Sequence, residues 1–354
     1  MGGGAEVHLH EILHRLVQRG HEVTWLACSY AGAAPEELGE DGIRYRRRGH
    51  WQWANWLLPG LLRDELRRRE YDVVIEDINK IPFYAPLHTK LPVLAVIPHL
   101  FGTTVFREVS PPLATYVWAA ELPIPIVYRH CRFMAISEST KQDLVRRGIN
   151  AGSVEVIECG MDHEHYVLED PPPRNAHPTL IHLGRLRRYK SVDVVLRAMA
   201  IIQNIFPNAE LNIVGDGGDR PRLQTLARRM GLANTHFRGY LPRPEIVDLL
   251  YRTHLFLNPS PKEGWGLTVI EANECGVPVV ASRRPGLIDS VRDGQTGRLA
   301  RFGNPEDFAH KALEILTDPP LWRAYSENSV RWARSFSWEE AAGRTEDLLR
   351  RCLS

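Results

Sequence analysis

The chain has 354 residues, enough for two domains of ordinary size. Its 44 lysines and arginines nearly balance 43 aspartates and glutamates, and this near-neutral charge argues against a nucleic-acid partner. Five scattered cysteines with no Cys-x-x-Cys pair argue against a disulfide framework or a thiolate metal site and indicate a reducing cytosol.

The first half of the chain alternates apolar strands with amphipathic helices. Apolar residues at helical spacing predict a helix from Val7 to Val17, ending near Gly20. Strands are predicted at 22–28, 43–46, 72–76, 93–97, 132–136 and 154–157, and further helices at 56–69, 113–129 and 139–147. This alternation is typical of a parallel, doubly wound sheet.

The segment from Arg44 to Arg69 is the most basic part of the chain. It holds eight arginines around three tryptophans, namely Arg44, Arg46, Arg47, Arg48, Arg63, Arg67, Arg68 and Arg69 with Trp51, Trp53 and Trp56. Arginine beside tryptophan suits an anionic membrane surface. A tryptophan cluster buried under a solvated helix face explains the segment equally well.

A histidine follows the most apolar strand of this half. His99 ends the run Ala95-Val-Ile-Pro-His, where parallel strands present their carboxyl ends to ligands. An imidazole there could hydrogen-bond a substrate or share a proton. The alternative is a structural histidine.

Three consecutive prolines mark a change in the chain at residues 168–178, a stiff connector and the best candidate domain boundary. A second alternation follows it. Strands are predicted at 179–183, 210–214, 236–239, 255–257 and 277–281, and helices at 192–206, 220–230, 244–251, 267–275, 305–316 and within 322–353. Two similar α/β domains in succession are therefore expected.

Basic and glycine-rich turns follow the first strands of this second half. In Gly184-Arg-Leu-Arg-Arg-Tyr-Lys190, the cations Arg185 and Lys190 could clamp a diphosphate, although two solvated basic residues are the alternative. Gly215 and Gly217 follow the next strand and fit either a nucleotide-contacting loop or a simple turn.

The stretch from Pro259 to Ser282 carries the strongest signal. Gly264, Trp265 and Gly266 form a loop after a strand, and a helix begins at about Leu267, so free amides and the helix dipole create an anion site. Two carboxylates follow, Glu263 in the loop and Glu271 in the helix. Sugar hydroxyls are their natural partners, because a carboxylate accepts two of them in a fork. Taken singly, each could be a solvated carboxylate.

Glu263-Gly-x-Gly-Leu with Glu271, Ala272 and Gly276-Val-Pro-Val-Val-Ala resembles the signature of family-4 retaining glycosyltransferases of the GT-B fold. The resemblance extends over nearly the whole chain. It implies two Rossmann-like domains that face a cleft. The predicted domains are an acceptor domain at 1–167, the linker at 168–178, a nucleotide-sugar donor domain at 179–330, and a last helix at 331–354 that crosses back.

The resemblance also implies roles for individual residues. Arg185 and Lys190 stabilise the departing diphosphate in place of a metal, Glu263 holds sugar hydroxyls and Glu271 holds the ribose. His99 lies on the sugar or acceptor side. Residues expected to line the donor site are Gly3, Gly4, Gly184, Gly215, Gly217, Arg238, Gly264, Trp265, Gly266, Leu267 and Glu271.

The amino terminus departs from this pattern. Gly2 to Glu6 resembles the glycine loop of the family, and in a Rossmann-like domain that loop follows a strand. Only Met1 precedes it here. We therefore expect an apolar strand upstream in the natural product, and a gap between the strands at 22–28 and 72–76 without it.

The expected activity is transfer of a hexose, with retention, from a UDP- or GDP-linked sugar to a lipid-linked, saccharide or small-molecule hydroxyl, with no tightly bound cofactor or metal. The enzyme would be cytoplasmic, and peripheral at the membrane if the basic segment binds lipid. The rivals are a GT-B epimerase or phosphorylase and a nucleotide-sugar-binding protein without turnover. A nicotinamide dehydrogenase is disfavoured, because no Gly-x-Gly-x-x-Gly follows an early strand.

Overall fold

The computed structural model of the protein describes residues 4–79 and 81–353, and the chain divides into two compact units. The first unit comprises Met1–Gly160 with Trp338–Ser354, and the second comprises Met161–Ser337. Within the described ranges, no helix is long and apolar enough to cross a membrane. No cluster of three or more His, Cys, Asp or Glu side chains in those ranges could hold a metal ion.

The first unit is an α/β unit. Its strands are β1 Thr24–Ala27, β2 Glu36–Leu38, β3 Arg44–Arg47, β4 Val74–Asp77, β5 Val93–Ile97, β6 Arg132–Ala135 and β7 Val154–Val156. Its helices are α1 Gly4–Gln18, α2 Ala54–Arg68, α3 Pro111–Glu121, α4 Ile124–Val127, α5 Glu138–Arg146 and, from the end of the chain, α13 Trp338–Leu353. Arg15 of α1 pairs with Glu339 of α13 at 2.9 Å.

The strands of the first unit form two sheets. β4, β5, β6 and β7 lie side by side in a parallel sheet. β3 is parallel to β1 and antiparallel to β2, a strand that the sequence analysis did not predict. β1 and β4, the strands expected to flank a gap, belong to separate sheets, and no described strand pairs with both. The upstream strand stays a prediction.

Two predicted helices are interrupted. The helix expected at 113–129 is instead α3 and α4, because Pro123 and Pro125 supply no backbone N–H to continue the ladder. The helical region expected at 322–353 ends once near Ala333 and restarts at Trp338.

The second unit contains six strands and seven helices among its described residues. Its strands are β8 Thr179–Leu183, β9 Glu210–Val214, β10 Thr235–Gly239, β11 Leu255–Asn258, β12 Val279–Ser282 and β13 Gly297–Ala300. Its helices are α6 Val192–Ile205, α7 Arg220–Arg229, α8 Arg243–Arg252, α9 Leu267–Glu274, α10 Leu287–Ser290, α11 Pro305–Leu316 and α12 Pro319–Ala333. β13 and α10 were not predicted.

The six strands are all parallel, in the order β10-β9-β8-β11-β12-β13. This is the doubly wound 3-2-1-4-5-6 order, in which the chain reverses direction between β8 and β11. β8, β11 and β12 are buried along their whole length, as strands covered on both faces should be. Ligands of such sheets bind beyond the carboxyl ends of the strands at the reversal point.

Helix α6 shows how the sequence covers this sheet. Val192, Val195, Met199 and Ile202 recur every three or four residues and are fully buried. The proline-rich residues 168–178 belong to the second unit and are not a separate connector, because Arg174 fixes them to it. The Arg174 guanidinium donates to the carbonyls of Leu250, Cys275 and Gly276.

Candidate active site

Two loops of the second unit meet at the reversal point between β8 and β11. Lys190 ends the loop after β8, and Glu263 lies in the loop after β11. The Lys190 Nζ lies 2.5 Å from Glu263 Oε1, and the two side chains are 16% and 23% exposed. A cation and a carboxylate, predicted separately for a diphosphate and for sugar hydroxyls, are thus brought together.

Glycines allow the loops after β8 and β9 to pack closely. A Cβ built on Gly215 would lie 2.0 Å from Gly184 O, and one on Gly217 would lie 2.3 Å from Leu186 O. Both glycines have positive φ. The carbonyl groups of Gly184 and Leu186 therefore occupy the space where a Cβ would stand. The packing of the two loops is by itself enough to require glycine at both positions, whether or not a nucleotide binds there.

Arg185 stands in the same loop as Lys190. Its side chain is exposed and makes no ion pair with any described residue, unlike Lys190. An exposed guanidinium can bind a phosphate with two parallel hydrogen bonds. The loop therefore offers exposed arginines, Arg185 among them, beside one cation that is already held by a carboxylate.

The start of α9 lies beside Glu263. Gly266 caps the helix with φ of 101°, and the helix begins at Leu267. Gly286, which precedes α10, would place a Cβ 2.2 Å from Glu263 O, and the Glu263 N–H donates to Pro285 O at 3.1 Å. The loop after β12 therefore supports Glu263. Gly286 was not predicted as a site residue, although its position after a strand was a signal.

The Trp265 side chain is packed inside the unit. It is 4% exposed, and its ring meets Phe336 edge to face with 5.2 Å between centroids. Trp265 can therefore contribute only backbone to a donor site, as can Gly264 and Gly266 beside it.

Glu271 on α9 has partners that the sequence did not reveal. The Tyr166 hydroxyl donates to its carboxylate, and the exposed Arg243 guanidinium lies 5.9 Å from the Tyr166 ring. Burial raises the pKa of Glu271, while Tyr166 and Arg243 act to lower it. Tyr166 is itself 4% exposed and lies 105 residues before Glu271, which is why spacing gave no sign of the contact.

Arg238 is tied to the sheet by its side chain. Its Nε donates to Asn212 Oδ1 of β9 at 2.9 Å. The next residue, Gly239, accepts from the Gly215 N–H at 2.7 Å and joins the ends of β9 and β10. These bonds hold in place the backbone around Arg238, a residue predicted to line the donor site.

In the first unit, His99 follows β5 in a loop held by a buried carboxylate. Glu121, 1% exposed, accepts from Phe101 N at 2.6 Å and from Gly102 N at 2.9 Å. The His99 and Phe101 rings lie 4.9 Å apart, and Arg147 Nη1 lies 3.2 Å from Glu121. Sequence reasoning missed Glu121.

Two other predicted residues of this unit lie at the amino terminus. Gly3 is outside the described residues, and Gly4 begins α1. Elsewhere in this unit, the Ser137 side chain caps α5 by accepting from the Thr140 N–H.

Two protein-family models match consecutive segments that together cover most of the chain. The Glycosyltransferase Family 4 model matches residues 2–165, and the Glycosyl transferases group 1 model matches residues 169–332. The chain belongs to the family 4/group 1 glycosyltransferases. This confirms the resemblance seen in the Glu263–Glu271 stretch.

A curated relative of this chain is D-inositol 3-phosphate glycosyltransferase of Streptomyces bingchenggensis. It is 31% identical over 238 residues, which cover 61% of this chain and 52% of the relative. The chain thus spans about half the length of the curated relatives it matches.

Solved structures show the fold. Sucrose-phosphate synthase of Thermosynechococcus elongatus superposes with a TM-score of 0.82 at 19% identity, covering 99% of this chain and 94% of that one. Anabaena HepE, solved in complex with UDP-glucose, gives 0.76 at 18% identity, with coverage of 99% and 97%. The predicted GT-B fold is confirmed.

Proposed function

We propose that this glycosyltransferase moves a hexose from a nucleotide-diphosphate sugar to an acceptor hydroxyl, with retention and without a metal. The Lys190–Glu263 pair at the reversal point carries the proposal, since it sets a phosphate-binding cation beside a hydroxyl-binding carboxylate. UDP is the first nucleotide to test, because HepE was solved with UDP-glucose.

In the proposed reaction, the bond between the sugar C1 and the phosphate oxygen breaks, and its electron pair leaves with the diphosphate. The acceptor oxygen bonds to C1 on the same face, and its proton passes to the departing phosphate oxygen. Arg185 and Lys190 offset the developing negative charge. Glu263 accepts sugar hydroxyls, Glu271 accepts ribose hydroxyls, and these contacts fix the donor for attack. His99 is proposed for the sugar or acceptor side.

The test is a screen of UDP-, GDP-, ADP- and dTDP-sugars by thermal shift and by turnover, since a specific ligand raises the melting temperature. Arg185→Ala and Lys190→Ala should each lower kcat roughly a hundredfold, the loss expected for one charge-stabilising donor. Arg188→Ala, which removes an exposed arginine of the same loop, is the matched control.

The outcomes separate the proposal from its rivals. Activity lost with EDTA and restored by Mn²⁺ would remove metal independence, and inversion at the product anomeric carbon would remove retention. Nucleotide binding without turnover on any acceptor would favour a binding protein. A product formed from donor alone indicates an epimerase, and phosphate dependence indicates a phosphorylase.

We also propose peripheral contact of α2 with an anionic lipid surface. Trp53 and Trp56 are 61% and 75% exposed, so a buried tryptophan cluster is the wrong interpretation for these two. The Trp51 side chain lies outside the described residues. Trp56, Arg63 and Arg67 share one face of α2, because they are seven and four residues apart.

Three arginines of the basic segment are already paired with carboxylates. Arg47 pairs with Glu37 at 2.7 Å, Arg48 pairs with Asp64 at 3.0 Å, and Arg46 pairs with the buried Glu65. The side chains of Arg46 and Arg47 are only 11% and 8% exposed, whereas Arg63 and Arg67 of α2 are exposed.

Helix α3 continues the α2 surface with apolar side chains. Asn55 Nδ2 donates to Tyr116 Oη at 3.2 Å, and Leu113, Tyr116 and Trp118 of α3 are 47%, 45% and 36% exposed. Tryptophan and basic residues on one face suit the boundary of an anionic bilayer.

Vesicle co-sedimentation tests this surface. Binding should need anionic lipid, weaken with salt and fall in Trp56→Ala and Arg63→Ala/Arg67→Ala. The control Ile205→Ala removes an exposed apolar side chain of the second unit. Equal recovery with neutral and anionic vesicles would remove the idea.

A further inference from the structure

His182 lies in β8, just below the loop that carries Arg185 and Lys190. Its side chain is 3% exposed, and its Nδ1 lies 3.0 Å from the carbonyl oxygen of Leu257 in β11. A carbonyl only accepts, so Nδ1 carries a hydrogen and donates it. This bond joins the same two strands that the Lys190–Glu263 pair joins at their ends.

The other ring nitrogen, Nε2, is buried and has no hydrogen-bond partner among the described residues. It faces the turn at Gly184, where a Cβ would stand 3.7 Å from it. Burial lowers the pKa of His182 to about 4, so the ring is neutral near pH 7 and Nε2 presents a lone pair. A hydrogen-bond acceptor with no partner among the described residues therefore faces the start of the loop that carries Arg185 and Lys190.

The groups around this acceptor limit what can bind it. Lys190 and Glu263 lie in the loops that follow β8 and β11, and both act electrostatically on the ring. A lone pair repels a carboxylate or a phosphate oxygen and attracts an ammonium. Lys190 has three N–H donors, and Glu263 Oε1 accepts one of them.

We propose that His182 is a positioning residue for Lys190 when the site is occupied. A nucleotide-diphosphate sugar draws Lys190 to its phosphates and Glu263 to its sugar hydroxyls, and His182 Nε2 then accepts a hydrogen bond from the Lys190 ammonium. The bond holds the ammonium against the diphosphate. This inference rests on the proposed function.

A double-mutant cycle on the full chain, with UDP and GDP as calorimetric probes, tests the inference. His182→Phe keeps a ring of similar size without the acceptor, and it should weaken nucleotide binding about tenfold, as expected for one charge-assisted hydrogen bond. Lys190→Ala should weaken binding as well, and adding His182→Phe to it should cause no further loss. His182→Gln, whose amide oxygen reaches as far as Nε2, should restore most of the affinity.

The outcomes that overturn the inference are distinct. An equal loss with and without Lys190 means that His182 contacts the ligand directly. A loss in both His182→Phe and His182→Gln, with a lower melting temperature, means that the ring serves only packing. The control for a generic defect is His254→Phe, since His254 accepts from Thr179 N at the opposite end of β8 and its pKa is also lowered to about 4 by burial.

The inference and the proposed function fail in different ways. If the wild-type chain binds neither UDP nor GDP and turns over no nucleotide sugar, the proposed function falls and the inference falls with it. If the wild-type chain binds and His182→Phe binds equally well, only the inference falls.

Discussion

Lys190 and Glu263 are paired at 2.5 Å across the reversal point between β8 and β11. They are 73 residues apart in sequence, and each lies in a loop that follows the carboxyl end of a buried strand. In this arrangement the carboxylate neutralises the cation that a diphosphate would need. Under the proposed function, a nucleotide sugar separates them, because it brings a partner for each.

Glu263→Gln should change nucleotide binding and turnover in opposite directions. Removing the carboxylate charge frees Lys190, so UDP should bind roughly fivefold more tightly, in line with about 1 kcal/mol for a partly exposed pair. Sugar hydroxyls lose a charged acceptor, so kcat should fall roughly a hundredfold. Calorimetry and initial rates measure the two effects.

The matched control is Glu314→Gln, which removes a carboxylate paired with Lys311 at 2.8 Å on α11. It should leave both quantities unchanged. Weaker UDP binding in Glu263→Gln would show that the carboxylate does not compete with the phosphates for Lys190.

The second unit was largely predictable because its strands are continuous apolar runs between turn residues. The predicted strands at 179–183 and 210–214 match β8 and β9 to the residue. β13 was missed because Gly297-Arg-Leu-Ala is short and contains a charge. In the first unit, β2 was missed because Glu-Glu-Leu has no apolar pattern.

The polar contacts of the site were less predictable. Sequence placed Lys190 and Glu263 at strand ends but could not show that they pair, because the pairing depends on the order of strands in the sheet. Tyr166 lay beside the supposed linker, and nothing in its spacing pointed to Glu271. The acidic partners of Arg46, Arg47 and Arg48 are 10 to 19 residues away in sequence, so the sequence alone could not show that these arginines are paired.

Tyr166→Phe should weaken donor binding in a pH-dependent way. The Tyr166 hydrogen bond lowers the pKa of a carboxyl that burial raises, so its loss raises the pKa of Glu271 further. In the proposed function the ionised form accepts ribose hydroxyls, so the rise in donor KM on acidification should begin at higher pH in the variant. At neutral pH, donor KM should rise about fivefold, as expected for one lost hydrogen bond.

Tyr251→Phe is the matched control, because the Tyr251 hydroxyl donates to Tyr166 O at 3.0 Å and is not a hydrogen-bond donor to Glu271.

Glu271→Ala should raise donor KM with little change in kcat, since ribose contacts are similar in the ground and transition states. An unchanged KM in Glu271→Ala would end the ribose assignment.

Gly286→Ala should impair turnover through Glu263. Its φ of 81° disfavours any side chain, and its Cβ would stand 2.2 Å from Glu263 O, so the loop must shift. Gly231→Ala isolates the backbone effect, because Gly231 has φ of 69° with no atom within 4 Å of its Cβ site. Both should lose about 1 kcal/mol of stability from the strained φ, and only Gly286→Ala should lower kcat. Equal kcat in the two variants would argue against the support of Glu263 by Gly286.

The buried histidines make stability depend on pH, and His8 of α1 shows this most directly. Its side chain is fully buried beside Trp338, with 5.9 Å between ring centroids. Neither ring nitrogen has a hydrogen-bond partner among the described residues. Burial lowers the pKa of His8 from 6.5 to about 4, so the folded state favours the neutral ring. His8 therefore destabilises the fold progressively as the pH falls from 6.5 toward 4, because the unfolded chain binds the proton first.

His8→Phe should remove this loss. The drop in pKa from 6.5 to about 4 corresponds to on the order of 3 kcal/mol. The variant should consequently be more stable than wild type at pH 5, and the difference should be larger at pH 4. At pH 8 the only gain in stability should be that from replacing a buried polar ring with an apolar one. Denaturant unfolding monitored at several pH values measures the difference. His130→Ala, which removes an exposed histidine of the same unit, should leave the pH dependence unchanged. A His8→Phe curve parallel to wild type from pH 8 to pH 4 would mean that the His8 ring takes up its proton as readily in the folded chain as in the unfolded one.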